Sequence, residues 1–190
     1  MSPRSAVLAG LVLATVLALA GCTPGTSTPS SDGTSSTGAP SPSATAGPAA
    51  ATFTLPADCS AIASAATLAT VFANVPSRAA NGLTRPAPAS ASKTLECSWF
   101  AGDTTGGDVL YYSTTAANGH AYLAVMQANG FTCAAALGGT RCDKTTPNAQ
   151  YPVDTVETTF TRDSVWIYIS MTNVDAAALL PDMVATAWAA

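Results

Sequence analysis

The chain has 190 residues, with seven Lys and Arg against eleven Asp and Glu, one histidine, a formal charge of −4 and 48% apolar residues. That balance excludes nucleic acid, or a polybasic grip on anionic lipid, as the main partner, since both need a surplus of cations. Once the export-like and polar stretches at the start are set aside, the remaining length suits one hydrophobic core rather than two.

The first feature in chain order is an apolar run over residues 6–20, 15 residues long. A membrane-spanning helix needs about 20, so the run reads as a cleaved signal. It ends in Leu19-Ala20-Gly21-Cys22, which matches the bacterial lipobox. In that motif the cysteine thiol takes a diacylglyceryl group and the chain is cut just before it. Residues 1–21 are then a lipoprotein signal peptide, and Cys22 is the lipidated first residue of the mature chain. Ala18-Leu19-Ala20 also satisfies the small-x-small rule of ordinary secretory cleavage, and either reading exports the protein. Two acyl chains, at ~0.8 kcal/mol per buried CH₂, anchor without electrostatic help. The predicted location is the outer face of the cytoplasmic membrane, with the membrane itself as a partner through the anchor.

Residues 22–51 comprise the lipidated cysteine and a Ser/Thr/Pro/Gly/Ala linker whose single charge is Asp32. Such a stretch cannot bury enough apolar surface to fold and predicts a flexible spacer spanning ~30 Å. Beyond residue 21 six bases face eleven acids, a formal charge of −5. The globular domain is predicted over 52–190.

Four further cysteines, Cys59, Cys97, Cys133 and Cys142, lie in a chain bound for an oxidising compartment. Without a CxxC pair and with one histidine they predict disulfides rather than zinc. Of the three connectivities, Cys59–Cys97 with Cys133–Cys142 is favoured, because residues 134–141 read as two short strands joined by a Gly-Gly turn, with the thiols across the hairpin.

Within the domain, Asp58 or Ser60 can cap a helix, and Leu68, Val71, Phe72 and Val75 form an i, i+3, i+4, i+7 stripe behind Thr67, predicting two short helices or one bent one. Residues 76–93 form an irregular segment holding Arg78, Arg85 and Lys93. Long ordered loops often carry function, so these bases are a candidate binding surface. Two strands follow, over 95–100 and 109–113, joined by a turn in which Asp103 and Asp108 serve turn chemistry rather than calcium. Residues 115–129 predict a helix closed by Gly130 and Phe131. After the Cys133–Cys142 hairpin, residues 153–161 and 164–172 predict a second hairpin. There Val165, Ile167, Ile169 and Met171 point to one face and Trp166, Tyr168 and Ser170 to the other. A last helix carries Leu180, Met183, Val184, Ala187 and Trp188. The fold class is α+β: a single domain with an antiparallel sheet of about six strands, covered by about three helices and held by two disulfides.

Catalytic signatures are missing: the chain has no Gly-x-Ser-x-Gly, His-Glu-x-x-His, Walker loop or dinucleotide fingerprint. No catalytic residue, cofactor or metal site is assigned. The candidate binding surface is aromatic: Trp166 and Tyr168, joined by Tyr111 or Tyr112, would form an exposed platform for a glycan or another envelope protein, unless a loop covers them as a second core. The reading is a lipid-anchored extracytoplasmic binding or interaction protein. Its alternative is an envelope hydrolase using His120 and a nearby carboxylate.

In plan the chain resembles the small cysteine-containing envelope lipoproteins of high-GC Gram-positive bacteria. The resemblance rests on the lipobox, the spacer, the strand Cys97-Ser98-Trp99, and the Trp-bearing hairpin with its final helix. It implies an exported, lipid-tethered domain and assigns no site residues.

Overall fold

A computed structural model describes residues 51–189. The signal, Cys22 and most of the linker lie outside the described residues. Seven strands form one antiparallel sheet: β1 (Ser77–Arg78), β2 (Ser92–Ala101), β3 (Thr105–Ser113), β4 (Thr132–Ala136), β5 (Gly139–Pro147), β6 (Asp154–Arg162) and β7 (Val165–Thr172). The three helices are α1 (Ala65–Val71), α2 (Ala116–Ala128) and α3 (Leu179–Ala187). The sheet order is β1-β2-β3-β7-β6-β5-β4. The chain thus leaves the centre after β3, crosses to the far edge through α2, and returns strand by strand until β7 closes against β3. The fold is the α+β domain expected, with β1 as an additional short edge strand inside the segment read as irregular.

Alternation in β7 sorts two cores. On the first face Val165, Ile167, Ile169 and Met171 join Val109, Tyr111, Phe160 and Trp99 beneath α1 and α3. On the second face Trp166 and Tyr168 join Leu110, Tyr112, Met126 and Phe131 beneath α2. Every β7 residue from Val165 to Met171 is buried. The strand is therefore apolar on both sides and stable only with cover on both.

Local chemistry sets the boundaries. Helix α1 starts at Ser64, whose hydroxyl accepts from the Thr67 amide, so the cap lies three residues before Thr67. Asp58 and Ser60 do not cap a helix. Instead the Asp58 carboxylate accepts from the Ser60 amide and hydroxyl in a tight turn, and hydrogen bonding from Ser60 holds its pKa below the usual aspartate range. Thr115 caps α2 by accepting from the Asn118 amide. At the other end Gly130 adopts φ 86°, while the Gly130 and Phe131 amides return to the Gln127 and Met126 carbonyls, the paired bonds of a Schellman stop. Pro181 sits in the first turn of α3, where its missing N–H costs no helical bond. Leu137 and Gly138 both have positive φ, 52° and 75°, the two-residue turn that joins β4 and β5.

Both favoured disulfides are present. Cys59–Cys97 ties the N-terminal segment to β2, and Cys133–Cys142 links directly opposed residues of β4 and β5. By loop entropy the two contribute up to about 4 and 3 kcal/mol respectively.

Helix α2 approaches β6 closely at Gly119, where an added Cβ would lie 2.6 Å from the Thr161 hydroxyl. Gly119→Ala should therefore destabilise the domain by about 1–2 kcal/mol, despite the ~1 kcal/mol that alanine gains in a helix interior. Denaturant unfolding checks this, and adding Thr161→Ala should recover part of the loss. A stabilised Gly119→Ala single variant would contradict the close packing.

Candidate functional site

The expected aromatic platform is under cover. Trp166 and Tyr168 are 0% exposed and Tyr112 is 7% exposed. Tyr111 sits on the opposite face, in register with Ile167, where burial pushes its hydroxyl pKa well up. The cover is the segment 79–91 together with α2. The covering alternative for the aromatic face is thus the one the fold adopts, and Trp166, Tyr168 and Tyr112 do not face solvent.

That segment is a strap pinned by charge. Glu96 accepts from the Asn81, Gly82 and Leu83 amides at 2.9, 3.1 and 3.3 Å. Gly82, with φ 77°, supplies the left-handed residue such a nest needs. Lys93 pairs with Glu96 and also donates to the Leu83 carbonyl at 2.9 Å. Further along, Arg85 meets Asp108 at 2.6 Å, and Ser98 donates to the other Asp108 oxygen at 2.7 Å. The Trp166 indole N–H donates to the Pro86 carbonyl at 3.1 Å. The Arg85 guanidinium lies 5.9 Å from the Tyr168 ring centre, and the Tyr168 hydroxyl donates to Glu157. Burial and that hydrogen bond push the Tyr168 pKa well up.

Two of the three loop bases are therefore anchors. Arg85 and Lys93 are held by sheet carboxylates, while Arg78 is exposed and donates to the Phe100 carbonyl. Asp108 departs from its turn assignment. Strand β3 begins at Thr105, and Asp108 is 1% exposed within it, a buried carboxylate made tolerable by Arg85 and Ser98. His120 is exposed on α2 and belongs to no ion pair among the described residues. No group of three or more His, Cys, Asp or Glu gathers into a metal-binding cluster among the described residues.

A concave feature lies on the first face. Helices α1 and α3 pack over the β2, β3 and β7 side of the sheet, and the chain between β7 and α3 crosses above β6. Under that crossing is a cavity of about 310 Å³, within the range of small-ligand sites. Its floor is Val156, Ile169 and Met171, and its roof is Val174, Ala176, Ala177 and Leu180. Val156 is 40% exposed, an apolar floor residue without full cover. Asp175 accepts from the Ala177 amide at 3.1 Å and so shapes the roof as a tight turn. The small side chains of Ala176 and Ala177 leave the volume unfilled.

At the cavity edge Arg141 Nε lies 2.9 and 2.8 Å from the two Asp143 oxygens, and Thr158 donates to Asp143 at 2.7 Å. Arg141 is among the residues that line the cavity. Ile169, Met171 and Leu180 are expected core positions, but Arg141, Asp143 and Thr158 carried no sequence signal. The three alanines 176–178 are the nearest to one, because a run without side-chain volume after a hairpin leaves space above it.

A disulfide-stapled α+β domain with a pinned face and a cavity on the opposite face defines the class of molecule. No protein-family model, curated protein or solved structure matches the chain.

The strap has a pH signature. Desolvation pushes the Glu96 carboxyl up, but the Lys93, Asn81 and Leu83 hydrogen bonds more than offset it and hold the pKa below the ordinary 4.5. A carboxylate with a depressed folded pKa contributes stability above its unfolded pKa and loses it as pH falls through the folded one. Hydrogen-exchange protection of the Asn81, Gly82 and Leu83 amides should hold above pH 4.5 and fall below it. Protection that persists unchanged in acid would contradict the Glu96 anchor.

Proposed function

We propose that the protein is a lipid-anchored, extracytoplasmic binding lipoprotein, and that its ligand occupies the cavity between β6, β7 and the crossing before α3. The cavity carries the reading. It pairs an aliphatic floor and roof with a guanidinium, Arg141, in its lining, which fits a small molecule with an aliphatic body and one hydrogen-bond-accepting end. Arg141 and Asp143 balance each other and Asp175 adds a negative charge to the wall, so a neutral ligand is favoured over an anionic one.

The anchor rests on the lipobox at Leu19 to Cys22 and the polar spacer after it. The two disulfides suit an oxidising, extracytoplasmic compartment. No helix among the described residues is long and apolar enough to cross a membrane. The likeness to small envelope lipoproteins of high-GC Gram-positive bacteria supports the same placement.

Two experiments test the two halves separately. Cys22→Ser should move the protein from the membrane fraction to the soluble one, and unchanged membrane retention would refute the anchor. For the cavity, the neutral fluorophore N-phenyl-1-naphthylamine should bind saturably. Ala177→Trp, which fills the mouth from an exposed position, should weaken binding about tenfold or more, equal to 1.4 kcal/mol. Equal affinity in a variant of unchanged thermal stability would refute the site.

A further inference from the structure

The two edges of the sheet are unlike. At one end β1 is two residues long and carries Arg78, a short charged edge that discourages pairing. At the other end β4 is five residues, Thr-Cys-Ala-Ala-Ala, with no proline, glycine or charge, and it pairs only with β5. Residues 109–140, which include α2 and β4, contain no Asp, Glu, Lys or Arg.

The register shows which backbone groups of β4 are open. Ala136 and Gly139 close the two-residue turn as a hydrogen-bonded pair. Ladder alternation then makes Cys133–Cys142 a non-hydrogen-bonded pair, in keeping with its Cα separation of 4.0 Å. Thr132, Ala134 and Ala136 therefore bond inward to β5, while the N–H and C=O groups of Cys133 and Ala135 point outward.

We propose that two copies of the chain join edge to edge through β4, antiparallel, about a two-fold axis at Ala134. In that register Cys133 of each copy faces Ala135 of the other, both exchange hydrogen bonds, and the five residues overlap completely. Ala134 meets its own counterpart as a close, non-hydrogen-bonded pair. A second copy is favoured over a foreign peptide on two grounds. The alanines form no pockets by which a peptide sequence could be read, and self-pairing needs only the backbone and a closed two-fold. Charge adds a third argument. With −5 beyond residue 21, copies repel one another except where charge is missing, and β4 with α2 beside it is that place. The same register sets Leu137, 39% exposed at the turn, beside the start of the second copy's β4.

The full chain carrying Ala134→Cys should form a disulfide-linked dimer on mild oxidation, read by non-reducing electrophoresis. Ala136→Cys, which faces position 132 in this register, should give several-fold less. Ala135→Pro removes an outward N–H that β5 does not use, so combined with Ala134→Cys it should abolish the dimer while the thermal midpoint holds. No dimer from Ala134→Cys, or equal yields from positions 134 and 136, would overturn the proposal. Hydrogen exchange on the unaltered chain reads the same interface without cysteine. The Cys133 and Ala135 amides should gain protection as concentration rises, and rapid exchange at every concentration would overturn it.

Discussion

Strand β7 carries large side chains on both faces, and the rest of the structure follows from the need to cover each. Ile167, Ile169 and Met171 are satisfied in the usual way, by α1 and α3 packed over an aliphatic surface. Trp166 and Tyr168 pose a harder problem, because each brings a polar atom into the core with it. A helix alone cannot supply partners for those atoms. The indole N–H finds the Pro86 carbonyl and the phenol finds Glu157, so cover on this face needs a length of irregular backbone as well as α2.

An irregular strap has little intrinsic stability, and the sheet holds it by charge. Glu96 and Asp108 lie on the same face of adjacent strands and grip the two halves of the strap, one through a nest of amides and Lys93, the other through Arg85. Pairs of this kind are costly to break from one side, since a buried carboxylate left alone costs more than the pair contributed. The cations that look free in the chain are thus the means by which a surface segment becomes part of the core. Over β6 the first face is crossed by the chain before α3, whose small side chains leave an apolar floor and a cavity.

Much of this was legible from periodicity. The β6–β7 hairpin, the two-sided pattern of β7, helix α2 with its glycine stop, and both disulfides followed from alternation, capping chemistry and the bracketing of a Gly-Gly turn. The misreadings share a cause: each depends on a partner distant in sequence. Asp108 sits among glycines and looks like turn chemistry until Arg85 and Ser98 are brought to it. The strap looks like a charged excursion because its acidic partners stand on strands rather than within the loop. Of Tyr111 and Tyr112, either of which could have joined Trp166, the pleat brings Tyr112 there and sends Tyr111 to the other core. The cavity was invisible because it is a property of volume left by Ala176 and Ala177, not of any residue that fills it.

Closure of the second core depends on the burial of the aromatic face beneath the strap. The most direct measurement is the hydrogen-exchange rate of the Trp166 indole N–H in the full chain at neutral pH, followed by NMR. A proton held on the Pro86 carbonyl under the strap should exchange orders of magnitude more slowly than a free indole, and should become fast in an Arg85→Ala variant. Rapid exchange in the unaltered protein would mean that Trp166 faces solvent and that the strap does not close the second core.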